Sequence, residues 1–121
     1  MGGYKVQFEN FAIDFWSIET NWAFKHQLVK RNEEKTLDNI AKGCFYNFDA
    51  LVIDIKTYNL NVKYFNECIL NNELNILMKS SKYKKLNPTI EANILRAFYL
   101  RKEYHFSFSN SLYDYLKRKI Y

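Results

Sequence analysis

Three glycines and one proline in 121 residues leave this chain few residues suited to tight turns. Gly2 and Gly3 stand at the N-terminus, so Gly43 and Pro88 are all that remain inside. Sheets built from many hairpins draw heavily on both residue types. Their scarcity predicts helices joined by polar connections.

The apolar spacing points the same way. Phe8, Phe11, Phe15, Ile18, Trp22 and Val29 recur at three-and-four intervals, with Ala12 widening the stripe. This predicts a long first helix ending near Arg31. Tyr4, Val6 and Phe8 alternate, which leaves room for a short strand before it. Thr36 as N-cap and Asp38 in the first turn open a second helix. Leu37, Ile40, Ala41, Cys44, Phe45, Phe48, Leu51, Val52 and Ile55 hold one helical register through it. Val62, Phe65, Cys68 and Ile69 mark a third helix, ended or kinked at Asn71-Asn72, with Leu74, Ile76, Leu77 and Met78 continuing its pattern. Asn87-Pro88 is a helix start. The fourth helix runs from there to about Tyr104, with Ile90, Ile94, Leu95, Ala97 and Phe98 facing inward. "HFSFSN" at 105–110 reads as extended. Ser111 and Asp114 outline a capping box for a last helix, Leu112 to Ile120. The expected fold is all-α: an antiparallel bundle of about five helices, with a short extended segment near 104–109, in a single helical domain over 1–121.

Composition sets the surface and the compartment. Aromatic residues make up 18% of the chain, so large rings fill the core and many tyrosines sit at its boundary. Trp16, Tyr46, Tyr64, Tyr113 and Tyr121 fall partly off the buried stripes and are candidates for an exposed interaction patch. Cys44 and Cys68 lie in apolar patterns and read as reduced core thiols. No signal peptide opens the sequence, and no apolar run has the length that spans a bilayer. The expectation is a soluble intracellular protein, in the cytoplasm of a host cell, with no membrane partner.

Charge is divided unevenly. Residues 1–78 carry eight Lys and Arg against ten Asp and Glu, whereas residues 79–121 carry ten against three. A basic C-terminal third suggests a polyanion or an acidic protein surface as partner. Lys79, Lys82, Tyr83, Lys84 and Lys85 interleave charge with a ring, the pattern that follows a phosphate backbone while stacking on an unpaired base. Arg96, Arg101, Lys102, Lys117, Arg118 and Lys119 extend that surface. The chain carries no helix-turn-helix or RNA-module motif, so readout of a duplex sequence is not expected.

Catalytic signatures are sparse. His26 and His105 are the two histidines, and neither stands at ligand spacing to another His, Cys or carboxylate. No metal site, cofactor or phosphate-binding glycine loop is expected. A Cys–His dyad would need the fold to bring distant residues together. Arg101 and His105 lie on one helical face late in the chain. With them the chain resembles the HEPN ribonucleases, helical proteins in which an Arg and a His attack RNA within a dimer. Three residues separate Arg101 from His105, where that family usually has four to six, and Lys102 follows Arg101 where it tends to carry a small polar residue. The resemblance implies a ribonuclease or toxin using Arg101 and His105. The leading expectation is instead a non-enzymatic binding protein, rich in Asn, Lys, Tyr and Phe like products of AT-rich phages or mobile elements. It would bind RNA, or block a host nucleoprotein effector such as a CRISPR or restriction complex. A protein-only interaction or immunity module is the third reading.

Overall fold

In the structure, a computed structural model, residues 3–29, 36–78 and 89–120 are described. They form six short strands and five α-helices with two short 3-10 turns. This overturns the all-α bundle: the described residues are mixed α and β, with three two-stranded sheets.

The first correction lies at the N-terminus. Strand β1 (Gly3–Gln7) lies where the alternation of Tyr4, Val6 and Phe8 left room for a short strand, but its antiparallel partner β2 (Ala12–Trp16) stands where the long helix was expected. Both periods are present in this stretch, and the two-residue one wins. In the observed register Tyr4 faces Phe15 and Val6 faces Ile13. The Phe8 and Phe11 rings stack at 4.6 Å beside the turn, and the Phe8 N–H donates to the Phe11 carbonyl at 2.7 Å. Aromatic and β-branched residues at alternating positions favour a pleated surface over a helix. What remains of the first helix is a 3-10 turn (Ile18–Thr20) and one turn of helix, α1 (Trp22–Lys25). The Asn21 side chain caps it by accepting from the Ala23 N–H at 3.1 Å.

The second correction is similar. Helix α2 (Thr36–Lys42) stops before Gly43, far short of Ile55. A 3-10 turn (Asn47–Asp49) and the hairpin β3 (Val52–Ile53) and β4 (Leu60–Asn61) follow. Asp54 makes the turn between them. Its carboxylate accepts the Lys56 N–H at 2.9 Å and the Thr57 N–H at 3.4 Å. Such local side-chain bonds offer the backbone an alternative to the helix ladder.

The remaining helices match their expected places more closely. Helix α3 (Lys63–Asn71) ends at Asn72, which takes the left-handed conformation at φ 49°. Helix α4 (Ile90–Tyr104) ends the same way at His105, φ 59°. The start expected at Asn87-Pro88 lies outside the described residues. The two ends meet: the Asn72 carbonyl accepts both the N–H and the hydroxyl of Ser107, and the Asn72 amide donates to the His105 carbonyl at 3.2 Å. The chains leaving them run side by side as parallel strands β5 (Glu73–Leu74) and β6 (Ser107–Phe108). The extended stretch expected near 104–109 is this β6. Helix α5 (Asn110–Ile120) is capped by Ser109, whose hydroxyl accepts the Leu112 N–H at 3.1 Å. The expected cap, Ser111, instead donates to the Asn75 side chain at 3.2 Å.

The core gathers where these segments cross. Tyr46, Leu74, Ile76, Leu100, Leu112 and Cys68 are wholly buried. Tyr46 was a candidate for an exposed patch, but its ring lies at 0% exposure and its hydroxyl donates to the Asn93 carbonyl of α4 at 2.7 Å. Next to it, buried Asn47 accepts the Phe48 and Asn75 N–H groups at 3.0 Å each and donates to the Glu73 carbonyl at 3.0 Å. An asparagine so used is fully committed to folding.

Two predictions follow from these contacts. Asn47→Ala strands one carbonyl and two N–H groups and should destabilise the fold by about 3 kcal/mol or more; urea unfolding measures this, and a loss below about 1 kcal/mol would contradict the role. Asp38 accepts from Lys42 at 2.7 Å, from the Tyr64 hydroxyl at 2.9 Å and from Asn61 at 3.4 Å. Led by the Lys42 bond, these hold its carboxyl below the ordinary 3.8. The stabilisation is therefore complete above that value and disappears as acid protonates the folded state. Asp38→Asn should flatten the acid limb of a stability-against-pH curve, and an unchanged limb would show that Asp38 contributes nothing.

Candidate nucleic-acid interface

Helices α4 and α5 do not close on each other along their outer sides. Between them runs a cleft of about 530 Å³ lined by Phe98, Arg101, Phe108, Tyr113, Leu116, Lys117 and Ile120. Its volume lies within the ~300–1,000 Å³ range of ligand sites. Helical spacing makes this wall: Tyr113, Lys117 and Ile120 follow at i, i+4 and i+7 on one face of α5, and Phe98 and Arg101 at i and i+3 on α4.

The chemistry of the cleft is cationic and aromatic. The Arg101 guanidinium lies 4.9 Å over the Phe108 ring, and Phe98 meets the same ring edge-on at 5.7 Å. A guanidinium placed over a ring keeps its N–H groups available to an anion. Tyr113 is 58% exposed and Phe98 45% exposed, so both offer open ring surface. Such a site suits an anionic group with a planar ring attached to it.

The other predicted cations are placed differently. Arg96 sits on the far side of α4 in a bidentate pair with Asp49, Nε lying 3.2 Å from Oδ2. Its charge is thereby committed within the fold. Lys102 is exposed one turn beyond Phe98 but does not line the cleft. Arg118 and Lys119 are exposed but follow Lys117 by about 100° and 200° around the helix, away from the cleft. The Arg118 Nε donates to the Asp114 carbonyl at 3.2 Å. Lys79, Lys82, Tyr83, Lys84 and Lys85 lie outside the described residues. Of the expected surface, the structure brings Arg101 and Lys117 together. Sequence reasoning missed Phe98, read as core, and Phe108 as parts of the same site. The i+3 step from Phe98 to Arg101 and the i+4 step from Tyr113 to Lys117 were the available signal.

The catalytic alternatives gain little. His105 ends α4 through its backbone, and its N–H donates to the Arg101 carbonyl at 2.9 Å. The frame implied by the HEPN resemblance is all-helical, and the described residues are not. Among the described residues no three His, Cys, Asp or Glu side chains gather as metal ligands. No helix among them is long and apolar enough to cross a membrane.

Both cysteines are free, Cys68 fully buried and Cys44 half-buried, and burial pushes each thiol up to about 11. The Cys44 thiol points to the Ile40 and Asp49 carbonyls. At neutral pH both should alkylate about 100-fold more slowly in the native protein than after unfolding, since the thiolate is the reactive form. Iodoacetamide labelling followed by mass spectrometry measures this, and equal rates in the two states would contradict it. No protein-family model, curated protein or solved structure matches this chain.

Proposed function

We propose that this chain is a small binding protein that engages unpaired RNA through the cleft between α4 and α5. One observation carries the reading: Arg101 and Lys117, from two different helices, line one groove with the open rings of Phe98 and Tyr113. Cations from a single helix face are common on solvated surfaces. Cations and rings converging from two elements around one groove are what a sugar–phosphate chain with exposed bases requires.

In this reading Arg101 and Lys117 contact phosphate oxygens, and Tyr113 and Phe98 stack on bases. Arg101 would act as a bidentate donor positioned over Phe108, and Lys117 as a point charge. Lys102 extends the path along α4. The lysine-rich segment 79–85 precedes α4 in sequence and contributes further phosphate contacts. The excess of cations in residues 79–121 supports this reading. The biological consequence proposed is competition: by holding RNA, or by entering the RNA channel of a nucleoprotein effector such as a CRISPR or restriction complex, the chain blocks that machine.

The test is fluorescence anisotropy with a labelled single-stranded RNA across a salt series. Affinity should fall steeply with salt. In Arg101→Ala/Lys117→Ala the slope of log K against log salt should lessen by about 1.4, two phosphate contacts being lost at about 0.7 each. Tyr113→Ala should weaken binding by about tenfold, as for a lost base stack. Absent binding at low salt, or binding indifferent to the double substitution, would overturn the reading.

A further inference from the structure

The N-terminal hairpin carries a feature that RNA binding does not use. Paired residues of an antiparallel ladder share a face. The register therefore places Tyr4, Val6, Phe8, Phe11, Ile13 and Phe15 together on one side. The other side carries Lys5 and Asp14, whose charges meet at 3.7 Å, with Gln7 and Ala12 towards the turn and Gly3 and the exposed Trp16 at the open end. One face is thus wholly apolar and aromatic, like that of a sheet that covers a core, and the other is mixed. Yet every one of the six is exposed, from 39% at Ile13 to 81% at Tyr4.

A two-stranded hairpin alone in water is marginal, and it gains stability when its apolar face is covered. The exposed portions of the six residues amount to about 600 Å² on ring and aliphatic areas of ~150–250 Å² per side chain. A contiguous patch of that size is at the upper end of what a monomer exposes, where patches are often functional. Two such faces packed together would bury at most about 1,200 Å², the lower bound of the standard specific interface.

We infer that this face is a self-association surface, on which a second copy of the chain docks its own hairpin face to face about a two-fold axis. The face is suited to that occupant because no charged side chain stands on it, so an isologous contact buries no unpaired charge. The hairpin's charges, Lys5, Glu9 and Asp14, stand off this face and nearly balance, so two hairpins meet without the repulsion that the basic C-terminal third would bring. An anionic bilayer fits less well. Glu9 stands in the turn, where insertion would begin, and the one hairpin cation, Lys5, is already paired with Asp14.

Sedimentation velocity of the full chain tests this. At about 100 µM, where an interface this small is populated, the protein should sediment as a dimer of twice its 14.6 kDa. Val6→Lys/Ile13→Lys should shift it to monomer, and Lys5→Ala, on the other face, should not. A wild-type monomer throughout, or a dimer that survives the double substitution, overturns the proposal. So does a wild-type monomer that co-sediments with phosphatidylcholine–phosphatidylserine vesicles. Should the double variant fail to fold, amide exchange of the wild type decides: protection of residues 3–16 that rises with protein concentration supports the dimer, and protection independent of concentration refutes it.

Discussion

Two adjacent buried residues, Tyr46 and Asn47, fix both walls of the cleft. Tyr46 reaches one of them, its hydroxyl bonded to the Asn93 carbonyl within α4. Asn47 reaches the other through a relay. Its carboxamide pins Asn75, whose own side chain accepts the Ser109 hydroxyl at 2.8 Å and the Ser111 hydroxyl at 3.2 Å. Ser109 is the cap of α5. A displacement at 46–47 would therefore move Phe98 and Arg101 on one side and Tyr113 and Lys117 on the other. Buried polar networks of this kind are costly when broken and specific when whole.

The apolar core works around that frame. Phe45, Phe48, Phe106 and Tyr115 pack their rings about the crossing, with Phe48 meeting Phe106 at 5.5 Å and Phe45 meeting Tyr115 at 5.6 Å. Ala97 and Leu100 turn the inner face of α4 towards it, and Leu112 and Leu116 that of α5. Because α4 and α5 commit these inner faces to the core, their outer faces diverge, and the groove between them is left for rings and cations. The hairpin at 3–16 stands apart from this arrangement. Its apolar side stays exposed among the described residues, which is why it calls for a partner where the cleft calls for a ligand.

How much of this was legible depended on whether local and tertiary signals agreed. Helix α5 and the ending of α3 at Asn72 were readable because periodicity, the left-handed tolerance of Asn and terminal lysines pointed one way. The extended "HFSFSN" was readable as a break in period. The N-terminal half misled because Phe8, Phe11 and Phe15 satisfy a helical spacing while Tyr4, Val6, Ile13 and Phe15 satisfy an alternating one. Scarce glycine was the wrong arbiter: these hairpins turn on Glu9-Asn10 and on the Asp54 carboxylate, and need none. In the site, the basic character of Arg101 and Lys117 was visible, but their meeting was not, since it depends on the angle between two helices. Arg96 looked equivalent to Arg101 in the sequence. It is bound to Asp49, forty-seven residues away, and only the fold reveals that.

The claim on which the functional account rests is that one groove, and not basic charge spread over the surface, receives the nucleic acid. Residue-resolved NMR during titration with a short single-stranded RNA tests it directly. The account predicts shifts concentrated at Phe98, Arg101, Lys102, Phe108, Tyr113 and Lys117 and along 79–85, with Arg96 and the hairpin unmoved. Shifts distributed over all basic side chains alike, or centred away from α4 and α5, would contradict it.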